Sequence, residues 1–558
     1  QTYTGAVTLG ATTTLTGTGI TTSSTLGAGN YSLTMVTNAL ALGGNVTGGT
    51  GTLTIKPNTA STTIGLGSGT NASGATLNLD DTELDRINVS GSYFASIVIG
   101  DSAAGTGTLK YDTSVDKTFH SALTLQSKST TGGGAITTYD TLNVGSSNNL
   151  TISTTGAVSL SAINTANVLA VTGGSGITLN GDVTTNSTQT YTGAVTLGAT
   201  TTLTGTDINF TSTLESPTTA YGLTVNGSGT TTFGGVVGGN SHPLLSITTD
   251  SSGTTAINTT AITTSGAQTY NDAVTLGATT TLTGTNINIA STLESPTTAY
   301  GLTVNGSGTT TFGGVVGGNS HPLLSITTDS SGTTAINTTA ITTSGAQTYN
   351  DAVTLGATTT LTGTGITTSS TLGAGNYSLT MVTNALALGG NVTGGTGTLT
   401  IKPNTASTTI GLGSGTNASG ATLNLDDTEL DRINVSGSYF ASIVIGDSAA
   451  GTGTLKYDTS VDKTFHSALT LQSKSTTGGG AITTYDTLNV GSSNNLTIST
   501  TGAVSLSAIN TANVLAVTGG SGITLNGDVT TNSTQTYTGA VTLGATTTLT
   551  GTGITTSS

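Results

Sequence analysis

Residues 150–179 read LTISTTGAVSLSAINTANVLAVTGGSGITL. Leu150-Thr151-Ile152 is answered nineteen positions on by Leu169-Ala170-Val171, and Val158-Ser159-Leu160 by Ile177-Thr178-Leu179. In each triplet apolar residues stand at i and i+2 around a small or polar one, the period-2 pattern of a strand with one buried face. Gly156 and Gly173-Gly174 punctuate the gaps as turn residues. Two short strands in every nineteen residues, repeated, describe one coil of a β-solenoid. Val195-Thr196-Leu197 continues the series one residue out of step, so coils are expected to vary slightly in length.

Around this stretch the chain is a tandem array. QTYTGAVTLGATTTLTGT starts at Gln1, and versions of it start at Gln189, Gln268, Gln347 and Gln535. They mark a long unit (1–188), two short units (189–267 and 268–346), a second long unit (347–534) and the start of another (535–558). The long units differ only at their opening, where Thr4-Gly5 becomes Asn350-Asp351. That dipeptide reports what precedes it. Thr-Gly follows a long unit at 192–193 and 538–539, and Asn-Asp follows a short one at 271–272 and 350–351. Thr4-Gly5 therefore predicts a long unit ahead of Gln1, within a parent chain that continues in both directions. A short unit of 79 residues fits about four coils of ~20 residues, or three larger ones. Its strands are expected at Leu223-Thr224-Val225, Thr231-Thr232-Phe233, Leu245-Ser246-Ile247 and Val274-Thr275-Leu276.

A single coil cannot bury its apolar face; stacking buries it and pairs each strand with the coil above and below. Thr12-Thr13-Thr14 is expected to contribute hydroxyl ladders on the outer face. Asn148-Asn149 is a candidate corner amide ladder tolerant of left-handed φ. Composition agrees: charged residues are 6% and Gly numbers 82, with Thr, Val and Ile favouring strands. With 25 Asp+Glu against 10 Lys+Arg, and no basic residue between Lys128 and Lys402, the chain repels a phosphate backbone, so nucleic acid is not an expected partner. The absence of cysteine excludes disulfides and thiolate metal sites.

Candidate chemistry is sparse. Asp80-Asp81-Thr82-Glu83-Leu84-Asp85-Arg86, repeated at Asp426–Arg432, offers carboxylates to a calcium ion, but its spacing matches no calcium loop. The alternative is an exposed corner or helical turn with Leu84 and Ile87 facing inward. His120, His242, His321 and His466 have no second ligand at zinc spacing. Tyr3, Tyr191, Tyr270, Tyr349 and Tyr537 recur once per unit, as glycan contacts or packed corner residues. Asn30, Asn71 and Asn88 head sequons. No catalytic residue, cofactor site or metal site is assigned.

Residues 62–109 contain TTIGLG, LNLDDTELDRI and IVIGDSAAGTGTL, and 408–455 repeat them. This segment, like AQTYNDAVTLGATTTLTGT at 267–285, resembles recurring segments of filamentous-haemagglutinin-like large repetitive exoproteins of Gram-negative bacteria, the two-partner-secretion adhesin type. The resemblance implies a right-handed parallel β-helix and secretion through an outer-membrane partner barrel. It also implies roles in adhesion, aggregation or biofilm.

The expectation is thus an all-β, rod-like solenoid of coils of about 19–20 residues. Its expected role is the shaft of an extracellular adhesin or filament at the cell surface, with further copies of itself as partners, end to end or in lateral bundles. Competing readings are a glycan- or ice-binding Thr surface, a phage-type fibre and, least supported, a carbohydrate-active enzyme.

Overall fold

The structure, a computed structural model, describes residues 1–557. The chain is 46% strand and 2% helix and winds as a parallel β-solenoid of about 28 turns. It divides into two compact units, Gln1–Ala278 and Thr279–Ser558.

In the first unit each turn has three faces. Val158–Leu160, Ile163–Thr165 and Leu169–Gly173 form one turn. Ile177–Leu179, Val183–Thr184 and Gln189–Thr192 form the next. Each strand pairs in parallel with its counterpart one turn on: Val158 with Ile177, Ile163 with Val183, Leu169 with Gln189. The nineteen-residue pairings of Leu150 with Leu169 and of Val158 with Ile177 are present as expected. Two strands per coil was an undercount. In these two turns the middle strand is short and is anchored by one inward residue, Ile163 or Val183, too little to show a period of two.

Turn length varies more than the sequence indicated. Along the third face, Leu33 to Leu53 is 20 residues, Ile208 to Thr231 is 23 and Leu123 to Leu150 is 27. Leu53 to Ile97 takes 44. These third-face strands keep their register and the corners absorb the extra residues; on the second face the register shifts by one between Leu142–Asn143 and Ile163–Thr165. At one corner the chain crosses a residue later than expected: Leu244 is buried, whereas Leu245 is 49% exposed and precedes strand Ser246–Thr249.

The core is a column of like on like. Inward Leu, Ile and Val are almost all fully buried, each contributing roughly 1.5–3 kcal/mol relative to exposure. Tyr191, Phe210 and Phe233 stack with centroids 5.3 and 5.7 Å apart. Thr14, Thr34 and Thr54 stand in register on the outer row, and hydroxyls meet there between Thr52 and Ser96 at 2.8 Å. Threonine also points inward: Thr201, Thr231 and Thr255 are buried.

The second unit repeats these features by itself. Leu496–Thr500 pairs with Leu515–Gly519 and Val504–Leu506 with Ile523–Leu525.

The repeat period and the turn do not coincide. Between Gln189 and Gln268 there are eleven strand positions, one short of four full turns, counting the bridge at Val237. The motif that begins on the first face at Gln1 lies on the third at Gln189 and the second at Gln268. In the second unit Gln347 and Gln535 likewise stand in different sheets. A short repeat is therefore three and two-thirds turns, between the two expected values.

Candidate functional site

The 44-residue turn is where the chain departs most from regularity. After strand Ile64–Leu66, residues 67–76 loop back and Leu77–Leu79 pairs with it in parallel, lying against Leu40–Leu42. Helix α1, Asp81–Ile87, follows and packs on Val46–Thr47 in place of a second-face strand. Asp80 begins it with a capping box: its Oδ1 accepts from the Glu83 amide at 2.8 Å, and Glu83 Oε2 accepts from the Asp80 amide at 3.2 Å. Leu84 and Ile87 are buried, as the helical-turn reading required.

The charged residues of α1 finish a sheet edge. Glu83 Oε1 accepts the Leu42 amide at 2.8 Å, and the Arg86 guanidinium donates to the Leu42 carbonyl. Together they serve the backbone groups that a next strand would have paired. Burial pushes the Glu83 carboxyl up, against the Leu42 and Asp80 amides that bond it. Asp81 accepts from the Ser114 amide at 3.0 Å and from its hydroxyl. Burial alone would raise the Asp81 carboxyl; those Ser114 bonds, with the Lys117 charge, outweigh it and hold it below the ordinary range. Asp85 pairs with Lys117 at 2.8 Å. Each carboxylate is thus turned to a different partner. Among the described residues no group of three or more His, Asp or Glu is placed to hold a metal. Helix α2, Asp427–Arg432, repeats the arrangement in the second unit, with Glu429 on the Leu388 amide.

The other singled-out residues are dispersed. His242 Nδ1 lies 3.3 Å from Glu215 Oε2, at a corner where Asn240 donates to Glu215 Oε1 at 3.0 Å. His321 and Glu294 repeat this at 3.4 Å. His120 sits against Tyr93 and His466 against Tyr439. Asn240, Ser241, Asn319 and Ser320 are the non-glycine residues with left-handed φ among those described. Asn148 and Asn149 keep negative φ, and Asn149 accepts from Asn167 at 3.1 Å as an amide ladder. Of the sequons, Asn88 is held between turns: its amide donates to Thr118 and accepts from the His120 amide. Asn30 and Asn71 are exposed.

The recurrent tyrosines are strand residues, not corner residues. Tyr191 is buried, and its hydroxyl donates to Gln189 Oε1 at 2.8 Å. Gln189 is itself buried and donates to the Thr204 carbonyl at 2.8 Å. Tyr270 with Gln268 and Tyr349 with Gln347 repeat the pair, so the motif supplies its own internal hydrogen-bond partner on whichever face it lands. Burial pushes the Tyr191, Tyr270 and Tyr349 hydroxyls well above the ordinary range. Tyr3, in the first turn, is half-buried.

No protein-family model, no curated protein and no solved structure matches this chain.

The junction dipeptides have a structural cause. Gly193 has φ +130°, and a Cβ there would clash with the Gly173 carbonyl of the turn below. Asp272, at the equivalent place after a short unit, is buried. Its Oδ1 accepts the Thr249 hydroxyl at 2.7 Å, and both its oxygens accept the Thr255 hydroxyl, at 3.0 and 2.8 Å. Burial raises the Asp272 carboxyl and the Asp250 charge adds to the rise, opposed by the two threonine bonds. Asp351 repeats this with Thr328 and Thr334. Sequence reasoning saw the alternation; the buried carboxylate behind it was hidden because its partners lie 17 and 23 residues away.

Proposed function

We propose that the chain is the shaft of an extracellular adhesin or filament at the cell surface, exported through an outer-membrane partner. On this reading it mediates adhesion, aggregation or matrix formation by length and repetition, with no catalytic role. The observation that carries the proposal is the turn-to-turn register: near-identical repeats regenerate the same strands, the same Gln–Tyr pair and the same capped helix in each unit. Such an array lengthens without new chemistry, because stability is a sum of turn and neighbour contributions. Self-association, end to end or laterally, belongs to the same reading.

Removing residues 268–346 from the exported chain, which leaves Thr192-Gly193 after a long unit and Asn350-Asp351 after a short one, tests it. The deletion is expected to leave surface display intact, to shorten the particle by about 18 Å in electron micrographs at one strand spacing per turn, and to reduce cell aggregation. Removing the whole repeat region is expected to abolish aggregation. Unchanged aggregation after that larger deletion, or a chain retained inside the cell, would refute the shaft role.

A further inference from the structure

Loop 67–76 does more than connect two strands. It returns across the outside of Gly65, where a Cβ would run into the Ala72 carbonyl. It is pinned along its length. Gly69 donates its amide to the Asp112 carbonyl at 2.8 Å, Asn71 its amide to Asp112 Oδ2 at 2.6 Å, and Thr76 its amide to Thr63 Oγ1 at 2.9 Å. Between this loop and the outer row of the sheet lies a recess of about 260 Å³, lined by the polar Thr63, Thr70, Asn71, Thr108 and Lys110 together with Ile64, Gly74 and Ala75.

Lys110 is the outward residue of strand Leu109–Tyr111, and its register neighbours are Gly65 and Thr137. Neither carries a charge. Lys56 and Lys117 pair with Asp101 and Asp85, at 3.6 and 2.8 Å, but Lys110 has no ion-pair partner among the described residues. The nearby Asp112 carboxylate is held by the Asn71 amide behind the loop. The second unit builds the same recess, also about 260 Å³, from Thr409, Thr416, Asn417, Thr454 and Lys456. There too the lysine is unpaired among the described residues, and the Asn417 side chain donates to Asp458 at 2.8 Å.

We propose that each recess binds one carboxylated sugar ring, a hexuronate residue. A single ammonium matches a single carboxylate. The surrounding hydroxyls and amide match ring hydroxyls, and the small apolar part of the wall, at Ile64 and Ala75, suits the carbon face of one ring better than a lipid chain. The volume falls just below the range of about 300–1,000 Å³ typical of drug-sized ligands, which suits one ring. The site stands independently of the shaft reading, since it needs only the local loop and strands.

The test is titration of the full chain with sodium galacturonate, followed by saturation-transfer NMR and calorimetry. Galactose and inorganic phosphate serve as comparison ligands, and circular dichroism confirms folding. The expected result is millimolar binding at two sites per chain, weakened several-fold at high salt because the contact is partly exposed. Lys110→Met should halve the stoichiometry, and Lys110→Met with Lys456→Met should lower affinity at least tenfold. The proposal is overturned by equal binding of galactose, by phosphate binding as well as galacturonate, by undiminished binding in the double variant, or by no binding of galacturonate at all.

Discussion

Thr192-Gly193 and Asn271-Asp272 follow the same three letters, Gln-Thr-Tyr, and occupy the same place in their repeats. The first corner is made by backbone freedom: Gly193 takes φ +130° because the turn below presses its Gly173 carbonyl against the position. The second is made by side-chain chemistry: Asp272 enters the core and gathers the Thr249 and Thr255 hydroxyls. The difference teaches that a residue in a solenoid is selected by the turn beneath it as much as by its own strand. The dipeptide reports the preceding unit because that unit supplies the surface it must fit.

The comparison breaks most sharply if the corners are exchanged. Gly193→Asp places a side chain against a carbonyl, in a backbone region L residues avoid, without threonines to receive it. A local loss of roughly 2–4 kcal/mol is expected, seen as faster amide exchange through strands Leu169–Gly173 and Gln189–Thr192. Exchange equal to wild type would mean that the corner relaxes freely. The reverse probe, Asp272→Ala, leaves two buried hydroxyls without their acceptor and is expected to cost about 1–3 kcal/mol. Valine at both Thr249 and Thr255 in that background should recover part of the loss; no recovery would show that the carboxylate acts through packing.

The smallest effect concerns pH. Burial raises the Asp272 carboxyl in the folded chain, so the native state binds its proton more readily than the unfolded one. Its contribution is fully present below the unfolded carboxylate pKa and is lost as pH rises through the raised folded value. Stability of this corner should therefore increase on acidification, and Asp272→Asn should flatten the slope. Urea midpoints for the two proteins across pH 3–7 read the difference, which cancels carboxylates of opposite sign such as Asp101, held low by the Ala103 and Ala104 amides and Lys56 despite its burial. Identical slopes would remove Asp272 as the titrating group.

Much of the fold was legible because strands with two inward residues announce themselves. Leu150-Thr151-Ile152 and Leu169-Ala170-Val171 pair as their spacing indicated. The α1 turn was legible from Leu84 and Ile87, which are three apart and share a face. Strands with a single inward residue were not, since Val46 or Val183 alone carries no period. Nor was the inward placement of threonine. A threonine such as Thr154 is buried at no great cost when its hydroxyl reaches the Ser127 and Gly134 carbonyls, both at 2.7 Å, and no sequence pattern announces those acceptors. The recess at Lys110 was hidden for a related reason. It depends on Gly65 having no side chain and on a loop folding back over it, both matters of three-dimensional approach.

The short repeat's eleven strand positions turn copy number into an angle. A gene that gains or loses one such unit through recombination between identical stretches keeps the turn-to-turn strand pairing, yet moves each strand that follows it within the same compact unit to the neighbouring face. Three such events restore the original bearing. Duplication, usually a change of length alone, thus also sets the direction in which each surface feature looks, and selection on that direction would act on the unit count in threes.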